Sequence, residues 1–210
     1  VGTRTLTIEG VEALGGADHE VIPDRIVAGT ILIAAAITGG KVTLEGVRPD
    51  HLAAVLEQLE RVGLRLETGP TWIRIGNGRP LHAHDMLTEP FPGFPTDLQA
   101  QYMVLMTQAG GVSHVTETIF ERRFMHVPEL RRMGAAIDLS SNIATIEGPT
   151  PLTGAEVTAS DLRASACLVL AALAARGESI VHRVYHLDRG YEAIDQQLAA
   201  LGARVERLKE

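Results

Sequence analysis

Three stretches of the sequence hold side chains that could do chemistry on a small anion. Asp97 lies in GFPTDLQAQ, just ahead of an apolar run. Arg163 lies in ASDLRAS, and Arg189 in HLDRGYE. A carboxylate at the mouth of a basic pocket can take a proton from a substrate hydroxyl. Guanidinium forks can hold phosphate or carboxylate oxygens two at a time. Arg163 falls in the first turn of a predicted helix, where a cation opposes the helix dipole. Either Asp161 answers it, or it stays exposed, or a bound anion does so. Arg189 falls between a strand and a helix, and is either paired with Asp188 or Glu192 or free to reach a ligand.

Other chemistry-bearing residues read as less specific. His82, His84 and Asp85 (HAHD) alternate as on a strand, with no third strong ligand nearby, so they read as exposed polar residues rather than a metal site. His126 and His186 read as core-edge or loop histidines. Cys167, inside ASACLVLAALAA, reads as a buried and inert thiol. No P-loop, GxGxxG, nucleophile elbow or HExxH occurs.

The elements that must position these residues come in a threefold repeat. Each copy opens at an Asp (Asp24, Asp97, Asp161), which reads most simply as a helix cap, and runs through an apolar helix to glycine at Gly39-Gly40, Gly110-Gly111 or Gly177. A short β-branched strand follows (Lys41 to Leu44, Val112 to Thr116, Ser179 to Val184). Next comes an amphipathic helix ending at Gly63, Gly134 or Gly202, then a closing strand (Leu64 to Glu67, Ala136 to Leu139, Arg204 to Leu208). The first two copies add strands at Trp72 to Ile75 and Ile143 to Glu147. Leu162, Ala166, Val169, Leu170 and Leu173 follow the helical stripe. Asp50 is expected to cap the helix that carries Leu52, Val55, Leu56, Leu59 and Val62. Pro128 suits a first helical turn, and Asn77-Gly78 a tight turn.

The expected fold is α/β (α+β): three β-α-β-α-β-β units whose sheets pack around three buried helices. The units span about 22–90, 91–155 and 156–210. Residues 1–21 stand outside them as a strand pair, Thr5 to Ile8 and Glu20 to Ile22, left from a preceding unit. The three buried helices would start at one end of the domain, and helix starts attract anions.

Composition narrows the function classes. The 210 residues are 45% hydrophobic and 21% charged, an ordinary globular balance. A net charge of −7 argues against nucleic-acid or membrane-surface binding. A single cysteine rules out an internal disulfide framework. The longest apolar run, Ala164 to Ala175, is too short to cross a bilayer, and the chain is expected in the cytoplasm. Its opening, without Met and in mid-strand pattern, reads as a fragment or a processed chain.

The phrases FPTDLQAQ (94–101), ETIFERRFMHVPELRRMGA (117–135), ASDLRASACLVLAALAARG (159–177) and YHLDRGYEAID (185–195) are distinctive. Together they resemble the bacterial UDP-N-acetylglucosamine 1-carboxyvinyltransferases, the enolpyruvyl transferases that begin peptidoglycan synthesis, from about residue 6 onward. The resemblance implies an enolpyruvyl transferase-like domain, one of two similar domains with the active site between them. It implies transfer of the enolpyruvyl group of phosphoenolpyruvate to the 3′-hydroxyl of UDP-N-acetylglucosamine by addition and elimination, without metal or organic cofactor. Asp97 would contact the sugar hydroxyl and take its proton. Ile119 would touch the UDP-sugar through its backbone, Arg123 would line the cleft, and Arg163 and Arg189 would hold phosphoenolpyruvate.

The resemblance also implies an absent partner half. That half carries a mobile loop with an acidic cysteine (aspartate in some members), a lysine–asparagine pair and much of the uridine site. Cys167 is in the wrong motif to be that cysteine. The chain is therefore expected to fold but not to turn over alone. The other readings are a non-catalytic repeat domain that binds anions or proteins, and enolpyruvyl transfer to a different alcohol.

Overall fold

The buried helices form where the apolar runs are longest, and two of the three are fixed by an Asp at their starts. In the computed structural model, which describes residues 5–76 and 80–208, α1 (Arg25–Thr38) begins at Asp24. The Asp24 carboxylate accepts from the backbone N–H of Ile26 at 2.7 Å and Val27 at 3.2 Å. It ends at Gly39, whose φ of 70° supplies the left-handed C-cap. α3 (Gln99–Thr107) is buried at every residue. α5 (Leu162–Ala174) is capped by Asp161, which accepts from Arg163 N and Ala164 N at 2.8 and 3.0 Å. The three helices pack against one another at the centre of a single hydrophobic core.

Gly29 lies against the side chain of Leu98, where a Cβ would collide, so α1 runs close to the turn that starts α3. A polar rung crosses the interior. Thr30 Oγ1 lies 2.9 Å from the Tyr191 hydroxyl, and Gln101 Nε2 donates to both at 3.3 Å. One residue of the rung comes from each of the three expected units.

Around the helices lie three sheets. The first has β1 (Val42–Glu45), β2 (Arg65–Thr68) and β3 (Trp72–Gly76) in the order β1-β3-β2, all antiparallel. The second has β4 (Met86–Leu87), β5 (Gly111–Thr116), β6 (Ala136–Ser140) and β7 (Ile143–Gly148) in the order β4-β5-β7-β6. The third pairs β8 (Glu156–Thr158) with β9 (Ile180–His182). β4 and β5 are parallel, as are β8 and β9, and each pair is joined through a buried helix, α3 or α5. The second helix of each unit is amphipathic: α2 (Ala53–Arg61) buries Val55, Leu56 and Leu59, and α4 (Val127–Arg132) carries Pro128 in its first turn. α6 (Ile194–Ala200) buries Ile194 and Leu198.

Four expectations are corrected. The strand pair Thr5 to Ile8 and Glu20 to Ile22 is not formed. Leu6 and Val21 are 83% and 81% exposed, and no described strand offers either segment a ladder. Arg204 to Leu208 is likewise not a strand. Val205 packs on the core, but Arg207 binds the side chains of Asp188 and Asp195, and the third sheet stops at two strands. Asp50 caps nothing: it lies within the 3-10 turn Pro49–Leu52, and its carboxylate takes Arg48 at 3.1 and 2.9 Å. Asp97 does not cap α3, for the reason given below. The Asn77-Gly78 turn lies outside the described residues.

Candidate active site

Asp97 lies in a short 3-10 turn, Thr96–Leu98, that leads into α3. Leu98 anchors the turn in the core, while the Asp97 side chain is about one-third exposed. Its carboxylate is taken by two arginines rather than by its own helix. Oδ1 accepts from Arg123 Nη2 at 2.8 Å, and Oδ2 accepts from Arg163 Nη2 at 3.0 Å. Arg163 comes from the first turn of α5, so this pair joins the starts of two buried helices. Asp161 is not the partner of the Arg163 guanidinium. It is occupied by backbone N–H groups and by the Ser160 hydroxyl at 2.9 Å.

Arg123 is held from three directions. It binds Asp97, it donates through Nη1 to Thr96 Oγ1 at 3.2 Å, and its guanidinium sits 4.6 Å from the centre of the Phe120 ring. Its loop leaves β5 at Glu117, a residue that the sequence reading passed over. Glu117 is buried, and Oε1 accepts from Thr88 Oγ1 at 3.0 Å, Ile119 N at 2.8 Å and Phe120 N at 3.1 Å. Oε2 accepts from Thr96 Oγ1 at 2.7 Å. The local signal was an acid at a strand end followed by residues whose N–H groups can fold back onto it. The link to Thr96 spans 21 positions and has no local signature.

The Ile119 N–H is thus already committed, which leaves its carbonyl as the backbone group to offer a ligand. Arg189 closes the 3-10 turn Val184–Arg189 and is exposed. Its guanidinium makes no ion pair among the described residues, while the neighbouring Asp188 is taken by Arg207 at 3.0 and 2.8 Å. The next residue, Gly190, lies against Leu162 at the start of α5, so this turn abuts the element that carries Arg163. The structure therefore brings Asp97, Arg123 and Arg163 into direct contact and ties Ile119 to them through Glu117. It does not bond Arg189 to them.

Beneath the site, His126 is buried with Nε2 3.3 Å from the Met103 sulfur. Burial pushes its pKa down to about 4 against the pull of Asp161, and the charge of Arg123 adds to the fall. Burial raises the pKa of Asp161, but hydrogen bonds from Ala164 N, Ser160 and Arg163 N outweigh it, so this cap is held below the usual carboxylate range. The remaining candidates go elsewhere. His84 Nδ1 lies near Gln58 Nε2 and the Asp85 carbonyl, and Asp85 binds His114. No cluster able to hold a metal ion occurs among the described residues. Cys167 is fully buried, which pushes its thiol pKa well up. No described helix is long and apolar enough to cross a membrane.

Two guanidiniums converging on one partly exposed carboxylate form a compact set of anion donors. The chain is similar in sequence and in fold to known proteins. The chain is 55% identical over 208 residues to the UDP-N-acetylglucosamine 1-carboxyvinyltransferase of Granulibacter bethesdensis, covering 99% of this chain and 50% of that protein. It is 57% identical to that of Allorhizobium ampelinum, covering 100% of this chain and 49% of that protein. The chain thus spans about half the length of the curated relatives it matches. Among solved structures it is similar to the enolpyruvyl transferase NikO from Streptomyces tendae, with TM-score 0.80 and 30% identity over 89% of this chain and 44% of that one. EPSP synthase from Acinetobacter baumannii shares the fold, with TM-score 0.69 and 19% identity over 90% of this chain and 48% of that one. The family described as EPSP synthase (3-phosphoshikimate 1-carboxyvinyltransferase) matches residues 1–198, nearly the whole sequence. The chain belongs to the EPSP synthase family.

Proposed function

We propose that this chain forms one wall of an active site that moves the enolpyruvyl group of phosphoenolpyruvate onto the 3′-hydroxyl of UDP-N-acetylglucosamine, the first committed step of peptidoglycan synthesis, in the cytoplasm. The observation that carries this reading is the Asp97 carboxylate held between Arg123 and Arg163. In the addition step, Asp97 takes the proton of the sugar hydroxyl as its oxygen attacks the enol carbon, and the enol methylene gains a proton from an acid on the complementary half. The resulting tetrahedral phospho-ketal then gives up one proton of the new methyl group to a base, and its C–O bond to phosphate breaks, which restores the double bond and releases phosphate.

Arg163 and Arg189 hold the phosphate and carboxylate of phosphoenolpyruvate. Arg163 reaches them by sharing its guanidinium between Asp97 and the incoming anion, and the unpaired Arg189 supplies a second fork. These guanidiniums offset the negative charge of phosphoenolpyruvate and of the phosphate that leaves. Arg123 stays on Asp97 and fixes its aim, and the Ile119 carbonyl meets the sugar nucleotide. The high identity to proteins named for this activity favours UDP-N-acetylglucosamine over another acceptor alcohol.

The test is phosphate release from phosphoenolpyruvate plus UDP-N-acetylglucosamine. The chain alone is expected to release none, and the chain joined to the complementary segment its longer relatives carry is expected to turn over. Turnover of a different acceptor with none of UDP-N-acetylglucosamine would overturn the assignment.

A further inference from the structure

Glu117 does not bond to Asp97, yet its two oxygens serve different ends. Oε1 satisfies Thr88 and the N–H groups of Ile119 and Phe120, which is what any buried carboxylate at the base of a loop must do. Oε2 has a single partner, the Thr96 hydroxyl at 2.7 Å. That hydroxyl has one proton. An arginine can only donate, so the Arg123 Nη1 bond at 3.2 Å must end on a Thr96 lone pair. The proton of Thr96 is therefore turned toward Glu117, and the order of donors is fixed: Arg123 gives to Thr96, and Thr96 gives to Glu117. Thr96 is also the chain neighbour of Asp97, so the Arg123 guanidinium binds two consecutive side chains, one through each terminal nitrogen.

We propose that Glu117 is a positioning residue for the reaction assigned above, on which this inference rests: through Thr96 it sets the placement of Arg123 and hence the aim of the Asp97 carboxylate. Glu117 also pins the N–H groups of Ile119 and Phe120, and the Phe120 ring lies against the Arg123 guanidinium. An amide at position 117 cannot replace the carboxylate. Turned to keep its oxygen on the backbone donors, it presents an NH2 to Thr96, whose oxygen would then face two donors and whose proton would have no acceptor.

The Thr96 variants cut the Oε2 branch without touching Oε1, and Glu117→Gln alters the carboxylate itself. Thr96→Val, Thr96→Ser and Glu117→Gln are compared with the unsubstituted protein, each joined to the complementary segment, by steady-state phosphate release and by thermal melting. Thr96→Val and Glu117→Gln are expected to lower kcat by roughly 10- to 100-fold, the scale of a small misplacement of reacting groups. KM for UDP-N-acetylglucosamine should move less, and Thr96→Ser should retain activity. An unchanged kcat in Thr96→Val, or equal losses in Thr96→Ser and Thr96→Val, overturns the proposal.

If the unsubstituted protein releases no phosphate, the functional reading fails instead, and the positioning role is decided on the 210-residue chain by nitrogen-15 NMR of the Arg123 side chain. Guanidinium protons that exchange slowly in the parent and in Thr96→Ser, and fast in Thr96→Val and Glu117→Gln, support the relay. The same exchange in all four overturns it.

Discussion

Asp97 gives one oxygen to each of two arginines, and this sharing governs what a substitution there does. Asp97→Asn keeps the size and one acceptor but removes the proton acceptor. In the joined enzyme it is expected to lower kcat by roughly 100- to 10,000-fold, with KM for the sugar nucleotide changed far less, as steady-state kinetics would record. His126 acts on stability instead. Its folded pKa of about 4 lies below the ordinary 6.5, so between these values the unfolded chain binds a proton that the folded chain refuses. The contribution is complete above pH 6.5 and is lost as pH falls toward 4. Urea unfolding should show a loss of about 2 kcal/mol from this group between pH 7 and pH 5, and His126→Gln should remove that part of the slope. The types and positions of Asp97 and Arg163 marked them in the sequence, but their pairing spans 66 positions and no spacing rule reaches that far. Local reasoning could see only Asp161 beside Arg163, and in the fold that carboxylate is already spent on backbone N–H groups.

At the scale of elements, sequence pattern succeeded where a helix carries its own start and stop signals. α1 and α5 have an Asp cap followed by an apolar run, and both appear as expected. Asp24→Ala should therefore cost about 1 kcal/mol in chemical denaturation, through two backbone N–H groups left without their acceptor. The same reading of Asp50 and Asp97 failed because an arginine outcompeted the backbone for each carboxylate: Arg48 two residues away in one case, Arg123 and Arg163 from other elements in the other. Strands were legible to within a residue or two where a partner existed, as at β3 and β7. They failed at Thr5 to Ile8 and Arg204 to Leu208, where alternation was present but no neighbouring edge was. A strand is a property of a pair, and a pattern in one segment states only half of it.

For the molecule as a whole, the threefold pattern explains why residues from 97, 123 and 163 can meet. α1, α3 and α5 pack against one another, and the Asp97–Arg163 pair joins the starts of α3 and α5. The rung of Thr30, Gln101 and Tyr191 ties α1 and α3 to the segment that follows Arg189. The close seat of Gly29 against Leu98 adds a dimensional constraint to this plan. Leu98 is the residue after Asp97, so the gap between the first two inner rods works as a gauge block for the carboxylate. A methyl added at position 29 would crowd the buried Leu98 side chain out of its seat, a disturbance one residue from an oxygen that no substitution had touched.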